Sequence, residues 1–249
     1  MKDNESSKIA IFDLDNTLTK TSTSSILAKD LFLKRELPAK FILKNCFSFI
    51  YHKLKRQEMP LNSLNSIVET SLNYIKGKND DDFYKYVQTL FIKKNHKIFY
   101  KNSLEFLEKE RNNGKRLILA TAAPSPVAKY FKELLNFDEV VSTELEIFGR
   151  IYTGKLSSNF CHGAYKAHQV KDLIKQAYPN CSSISFYSDS ANDLPLMHLS
   201  DSVTCINPSR SLKKICYKND YKFIYTSLYV RFKFFLWLFL SIPFLVLFS

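Results

Sequence analysis

Four short apolar runs along the chain predict the strands of a parallel sheet. Continuous apolar runs of this kind are typical of strands that are covered on both faces. Amphipathic helical patterns lie between the runs, for example over residues 126–135 and 168–177. Strands that alternate with helices predict an α/β fold with right-handed crossovers. The four runs are residues 9–12, 117–120, 184–187 and 203–206.

Residues 22–108 differ from this pattern because they read as several helices without a convincing strand. They interrupt the chain between the first two predicted strands, so we expect them to form an inserted all-helical cap. Residues 1–21 and 109–228 would then form a discontinuous core. Within that core, residues 144–154 predict a hairpin with Gly149 at its turn. The predicted architecture is therefore a Rossmann-like parallel sheet with an inserted helical cap.

Residues 229–249 form a hydrophobic tail, in which residues 234–249 carry no charge. A helix over this uncharged stretch would be ~24 Å long, which is marginal against a bilayer core about 30 Å thick. We therefore expect a C-terminal helix that associates with a membrane, either spanning it or lying on it. Arg231 and Lys233 precede the apolar run, and the positive-inside tendency places the preceding chain on the cytoplasmic side. A tail packed on the protein itself would leave the chain cytoplasmic.

The chain has 249 residues and a formal net charge of +12. A basic balance suits an anionic lipid surface, a phosphorylated substrate or a nucleic acid. The lysines are scattered and no zinc-finger or RNA-binding pattern occurs, so no nucleic acid partner is expected. The five cysteines include no CxxC pair, which argues against a disulfide framework and favours a reducing compartment.

Two carboxylates follow the first apolar run, in the sequence Asp13-Leu14-Asp15-Asn16-Thr17. In open α/β sheets, functional sites form beyond the carboxyl ends of the strands. Carboxylates separated by one residue can point the same way in extended backbone, which suits a nucleophile with an acid–base partner, or a metal site. The alternative is a capped loop that carries two incidental acids.

Further polar residues follow the second and third runs. Thr121 comes directly after the second run, where its hydroxyl and nearby main-chain N–H groups could bind phosphate oxygens. Asp189 and Asp193 come after the third run, and carboxylates suit Mg²⁺ because it favours oxygen ligands. Lys166 could neutralise a phosphoryl group. Each residue has an ordinary alternative: an N-cap threonine, a surface lysine or a helix-capping aspartate.

In their order along the chain, these motifs resemble those of the haloacid dehalogenase superfamily. The DLDNT segment, the CxGxxK spacing and the SDSANDLPLM segment are most similar to its phosphoserine-phosphatase-like branch, which has a helical cap. The resemblance covers about residues 8–210 and is least specific in the cap. It implies a phosphoric monoester hydrolase that uses Mg²⁺ as its cofactor.

The resemblance also implies a role for each polar residue. Asp13 would attack phosphorus and become an aspartyl-phosphate, while Asp15 would protonate the leaving group and then activate water. Asp13, the main-chain carbonyl of Asp15 and Asp189 would hold Mg²⁺. Asp193 would orient the metal site or Lys166. The phosphoryl oxygens would be bound by Thr121, Ala122, Lys166 and Asn192.

The substrate stays open between a lipid phosphate and a small soluble phosphate. Phosphoserine phosphatases carry an acidic residue shortly after the first motif to bind the substrate's amine, but residues 18–24 contain no acid. Residues 40–56 predict a basic amphipathic helix, which either lies on an anionic membrane or forms the core of the cap. Together with the tail, these features favour a lipid such as phosphatidylglycerophosphate over phosphoserine. A phosphotransferase and an inactive, membrane-tethered binding protein are the remaining alternatives.

Overall fold

The computed structural model describes residues 7–37, 61–94 and 96–226. Its strands are β1 Ser7–Phe12, β2 Arg116–Pro124, β3 Glu139–Thr143, β4 Leu145–Phe148, β5 Ile151–Leu156, β6 Cys181–Ser188, β7 Ser202–Ile206 and β8 Lys222–Ile224. Six of them form a parallel sheet in the spatial order β3-β2-β1-β6-β7-β8. The α/β prediction is confirmed, and all four predicted strands are present. The apolar runs did not indicate β3 and β8, which lie at the two edges of the sheet.

Helices cover both faces of the sheet. They are α1 Thr23–Leu33, α2 Leu61–Leu72, α3 Asp80–Ile92, α4 Lys101–Asn112, α5 Ser125–Leu134, α6 Gly163–Ala177, α7 Leu194–Met197 and α8 Arg210–Asn219. Successive side chains of a strand point to opposite faces. Phe12 of β1 accordingly packs in one core cluster with Leu107 of α4, while Ile11 packs in the other with Leu212 of α8. The first run is continuously apolar because both of its faces are buried.

The predicted hairpin is formed by β4 and β5, which pair antiparallel. Gly149 and Arg150 make its two-residue turn, and both have positive φ, at 55° and 66°. Two left-handed residues are the requirement of a type I′ turn, and Gly149 meets it without strain. The hairpin also contacts the start of α3, because the N–H of Asp80 donates to the carbonyl of Arg150 at 3.0 Å. Arg150 forms an ion pair with Asp80 as well.

The helices α1, α2 and α3 lie within the predicted cap, and α3 packs against the core. The rings of Phe91 in α3 and Phe131 in α5 meet edge to face, with centroids 5.0 Å apart. The predicted boundary between residues 108 and 109 falls inside α4, which is a continuous helix. Just before α4, the N–H of Tyr100 donates to the carbonyl of Leu18 at 2.9 Å. The division into core and cap stays a prediction, and we propose moving its second boundary to about residue 99.

Two predicted segments lie outside the described residues. These are the basic amphipathic helix over residues 40–56 and the hydrophobic tail over residues 229–249, which both stay predictions. Within the described ranges, no helix is long and apolar enough to cross a membrane.

Candidate active site

Asp13 lies directly beyond the carboxyl end of β1, in the middle of the sheet. Its main-chain N–H donates to the carbonyl of Tyr187 in the neighbouring strand β6 at 3.0 Å, which fixes the backbone there. Asp13 is 7% exposed. Its Oδ1 accepts a hydrogen bond from Lys166 Nζ at 2.8 Å, and its Oδ2 accepts one from Thr17 Oγ1 at 3.3 Å. The carboxylate is therefore held in one orientation.

Lys166 joins Asp13 to Asp193 across the site. Its Nζ lies 2.8 Å from Asp13 Oδ1 and 3.0 Å from Asp193 Oδ1, and the lysine is 3% exposed. The second carboxylate oxygen of Asp193 accepts a hydrogen bond from Ser188 Oγ at 2.6 Å, at the end of β6. Lys166 is on the first turn of α6, so this helix and two strand ends meet in one buried network. Such a network sets the position of each charge.

Burial and charge act against each other in this network. Burial raises the pKa of Asp13 to about 7, although Lys166 lowers it, and the charges of Asp193 and Asp15 raise it further. Burial alone would lower the pKa of Lys166, but Asp13 and Asp193 raise it above its ordinary value. Lys166 is therefore a cation at neutral pH. A fixed cation beside a carboxylate suits the binding of further negative charge at the same place.

Asp15 is bound by residues at the start of α1. Its Oδ1 accepts hydrogen bonds from the N–H and the Oγ1 of Thr23, both at 2.8 Å. Its Oδ2 accepts one from Ser22 Oγ at 3.0 Å. Burial raises the pKa of Asp15, and these three donors oppose that shift. A carboxyl group with a raised pKa can serve as a proton donor and acceptor near neutral pH.

Thr121 and Ala122 lie near the carboxyl end of β2, beside β1. Thr121 is buried, and its Oγ1 accepts a hydrogen bond from the N–H of Ala123 at 3.1 Å. The carbonyl of Ala122 accepts from Thr143 Oγ1 at 2.8 Å, which ties β2 to the end of β3. Thr143 Oγ1 also accepts from the N–H of Cys161 at 3.2 Å, in the loop that leads to Lys166. The hydroxyl of Thr143 thus links the end of β2 to the loop that leads to Lys166.

Asp189 and Asn192 are placed differently from each other. Asp189 is buried directly after β6, the strand that pairs with β1, so it lies at the same sheet edge as Asp13. The side chain of Asn192 is exposed, in the short 3₁₀ helix Ala191–Asp193. A Cβ on Gly163, at the start of α6, would lie 3.8 Å from the Asn192 carbonyl. Asn192 therefore borders the site, with its side chain toward solvent.

The donor set fits a divalent cation. Four aspartates follow β1 and β6 along the chain, namely Asp13, Asp15, Asp189 and Asp193, whereas Lys166 is the buried cation of the described residues. Within these residues, no three His, Cys, Asp or Glu side chains converge as a metal-ligand cluster. Mg²⁺ does not need one, because it usually keeps several waters and binds one or two carboxylates. The excess of negative charge and the oxygen ligands both suit it.

Several residues of the network were not predicted from the sequence as part of the site. They are Thr17, Ser22, Thr23, Thr143 and Ser188. Thr17 and Ser188 are part of the two carboxylate motifs, so hydroxyls next to those acids were an available signal. Thr143 is at the end of an edge strand with no apolar run, and nothing in the sequence indicated its contacts.

Comparison with known proteins agrees with this geometry. The family of haloacid dehalogenase-like hydrolases matches residues 10–198. Phosphoserine phosphatase SerB1 of Mycobacterium tuberculosis is 25% identical over 209 residues, which cover 83% of this chain and 67% of that protein. The family and this relative support a hydrolase of the phosphatase type.

Two solved structures share the fold. A protein with unknown function from Bordetella pertussis Tohama I has a TM-score of 0.76 and 18% identity, over 88% of this chain and 99% of that one. A phosphoserine phosphatase solved as a phospho-aspartyl intermediate analogue has a TM-score of 0.60 and 14% identity, over 90% and 95% of the two chains. The matched family segment contains Asp13, Lys166 and Asp193 together, and the chain belongs to the haloacid dehalogenase-like hydrolases.

Proposed function

We propose that this phosphatase is a Mg²⁺-dependent phosphomonoester hydrolase that acts through an aspartyl-phosphate on Asp13. The observation that carries the proposal is the buried bridge of Lys166 between Asp13 and Asp193. A nucleophilic carboxylate must be ionised and oriented, and a fixed ammonium group supports both requirements. Thr17 holds the other oxygen of the same carboxylate.

The proposed reaction has two steps. In the first, a carboxylate oxygen of Asp13 forms a bond to phosphorus as the bond to the leaving oxygen breaks, and Asp15 gives that oxygen its proton. In the second, Asp15 takes a proton from water, and the resulting hydroxide attacks phosphorus and releases Asp13. General acid–base catalysis of this kind increases the rate by about 10²–10⁴-fold. Both carboxylates return to their starting protonation states.

The phosphoryl group would lie between the ends of β1, β2 and β6. Its charge would face Lys166, and its oxygens would be bound by the hydroxyl of Thr121 and the main-chain N–H of Ala122. Asn192 borders this space from the start of the 3₁₀ helix and would add a donor. These assignments are supported by the common sheet edge that the residues share.

Mg²⁺ would be held by Asp13, Asp189 and the main-chain carbonyl of Asp15. When bound, it would neutralise charge on the phosphoryl oxygens. The surplus of carboxylates over cations at this site supports the assignment. Asp193 would keep Lys166 in place, since it already forms an ion pair with it.

We expect dialysis against a chelator to abolish phosphate release and Mg²⁺ to restore it. The ligands are oxygen atoms, with no thiolate or imidazole suited to zinc among them. Released phosphate should be measured before dialysis, after it and after Mg²⁺ is added back. Zn²⁺ added at the same concentration serves as the control metal. Full activity in protein that elemental analysis shows to be metal-free would contradict the expectation.

We expect Thr23→Val to lower kcat/KM by about 10-fold, less than loss of the whole acid–base group would cost. Valine keeps the shape of threonine but removes the hydroxyl that donates to Asp15 Oδ1. Because that hydrogen bond lowers the pKa of Asp15, its loss raises the pKa. Asp15 must start protonated, so the alkaline limb of kcat/KM against pH should move to higher pH. The pH profile of kcat/KM is the measurement.

Thr23→Ser is the matched control because it keeps the hydroxyl. Its alkaline limb should stay where the wild-type limb is. An unshifted limb in Thr23→Val would show that this contact does not tune Asp15. Ser24→Ala, one residue further into α1, tests whether any change at this helix start has the same effect.

The substrate is proposed from features outside the catalytic network. Residues 18–24 contain no acid that could bind an amino group, and the tail would hold the site near a bilayer. Tethering raises the effective concentration of a membrane substrate without any new contact. These features favour a lipid phosphate such as phosphatidylglycerophosphate. Phosphoserine is the second candidate, because a relative is a phosphoserine phosphatase.

We expect kcat/KM on phosphatidylglycerophosphate in mixed micelles to exceed kcat/KM on phosphoserine in the same buffer. The ratio of the two values reports discrimination in the transition state. Phosphoserine mixed with the same empty micelles is the control for the detergent. A clear preference for phosphoserine would reject the lipid and leave the role of Asp13 intact. Release from neither would leave two alternatives, a phosphatase of another small metabolite and an inactive, membrane-tethered binding protein.

A further inference from the structure

A basic and aromatic surface lies at the last strand of the sheet, next to the point where the tail begins. We call it the α8–β8 face. Its cations are Arg210, Lys213, Lys214 and Lys218, and its rings are those of Tyr217, Phe223 and Tyr225. Tyr217 is 68% exposed and Tyr225 is 50% exposed, which is unusual for large rings so close together.

Lys213 lies among the three rings. Its Nζ is 5.1 Å from the centroid of Phe223 and 5.7 Å from those of Tyr217 and Tyr225. The ring of Phe223 meets Tyr217 and Tyr225 edge to face, at 5.5 and 6.0 Å. The cluster is therefore preformed, and a partner would not have to order it. A cation close to an aromatic ring is attracted to that ring by about 0.5–1 kcal/mol at exposed sites.

The charge of this face is largely unneutralised. Within the described ranges, none of its four cations forms an ion pair with a carboxylate. Lys78 and Lys132, by contrast, each form one, with Glu36 and Glu139. The face thus has a positive potential that is available to an anionic partner.

The face also has a defined position relative to the site. All six strands of the sheet are parallel, so the carboxyl ends of β8 and β1 lie along the same side of the sheet, which we call the Asp13 edge. Three strand spacings separate β8 from β1, which is about 14 Å. After Thr226 the sequence continues through Arg231 and Lys233 into the uncharged residues 234–249. The chain therefore leaves the sheet at the edge that carries Asp13.

We propose that the α8–β8 face binds the surface of an anionic lipid bilayer and so holds the Asp13 edge of the sheet beside that bilayer. Lysines attract anionic lipid headgroups, and tyrosine rings favour the membrane interface. A second copy of the chain is disfavoured as the occupant, because two such faces would bring like charges together. The proposal does not depend on the catalytic role of Asp13, because lipid binding and phosphate release are measured separately.

Flotation of the full-length protein with lipid vesicles tests the proposal. One set of vesicles is phosphatidylcholine alone, and the other contains about one third phosphatidylserine. We expect wild type to bind the anionic vesicles more tightly, and Lys213→Gln/Lys214→Gln to weaken that binding by about 10-fold or more. Binding to the neutral vesicles should not change, because it reports only the apolar part of the contact.

Lys97→Gln/Lys109→Gln is the matched control, since it removes the same charge from α4 and the segment just before it, which pack on the opposite face of the sheet. It should leave anionic binding within about twofold of wild type. An equal loss in both variants would overturn the proposal, because net charge alone would then explain the binding. Equal binding of wild type to both vesicle types would also overturn it, and would favour the chain's own tail as the occupant of the face. Unchanged thermal unfolding checks that each variant is folded.

Discussion

Asp13→Asn is expected to lower phosphate release by at least about 10³-fold, as loss of a covalent nucleophile does. An amide oxygen is a far poorer nucleophile than a carboxylate, and no other described carboxylate is bound to Lys166 except Asp193. The fold should survive, because Lys166 keeps its ion pair with Asp193 at 3.0 Å. Phosphate released by the purified variant is the measurement. Wild type quenched in acid during turnover should carry a phosphoryl group on Asp13.

Asp82→Asn is the matched control, because this aspartate is exposed and distant in sequence from the site motifs. It should release phosphate at the wild-type rate. Wild-type turnover by Asp13→Asn would reject the covalent mechanism and with it the proposed role of Asp13. A wild-type protein that is never phosphorylated, yet turns over, would reject the intermediate and keep open direct attack by water.

The sheet and the order of its motifs could be predicted because they depend on local sequence. Residues 9–12 are buried on both faces and therefore read as a continuous apolar run. The carboxylates that follow such runs must lie at one edge of a parallel sheet, so Asp13 and Asp189 could be placed together without coordinates. β8 was not predicted because it is an outer strand of only three residues and is only partly buried, so it forms no continuous apolar run.

The direction of the side chains could not be predicted in the same way. The motif allowed Asp13 and Asp15 to point the same way, but it did not indicate that Asp15 is bound by Ser22 and Thr23 at the start of α1. That contact spans eight residues through a turn with Asn16 at positive φ, which no periodic pattern encodes. It also makes α1, the first helix of the predicted cap, a neighbour of the proposed general acid Asp15.

The sequence offered little reason to single out Lys166 among the many lysines of the chain. Its importance is visible in the structure, where this lysine forms two buried ion pairs. It is the point where α6, β1 and the motif after β6 meet, and its two ion pairs are almost fully buried. A buried cation with two carboxylate partners has consequences for stability as well as for chemistry. Removal of one member leaves the others as uncompensated buried charges.

Lys166→Met is expected to lose activity and stability together. Phosphate release should fall by about 10²–10³-fold, as for loss of a preorganised electrostatic contact. The free energy of unfolding above neutral pH should fall by about 3–5 kcal/mol. Because Lys166 lowers the pKa of Asp13, its loss raises that pKa further above the unfolded value and above about 7. Asp13 of the variant is then protonated and uncharged at and below about pH 7, so the deficit should be small there and grow as the pH rises above about 7. Urea unfolding at pH 5 and pH 8 measures it.

Two variants separate the lost charge from simple damage to α6. Lys171→Met changes an exposed lysine of the same helix and should leave stability and activity near wild type. Lys166→Met/Asp193→Asn removes one of the two orphaned carboxylates, so it should recover part of the stability while phosphate release stays low. A double variant no more stable than Lys166→Met would show that the loss comes from packing rather than from buried charge. Recovery of phosphate release in the double variant would show that the lysine serves only to neutralise Asp193.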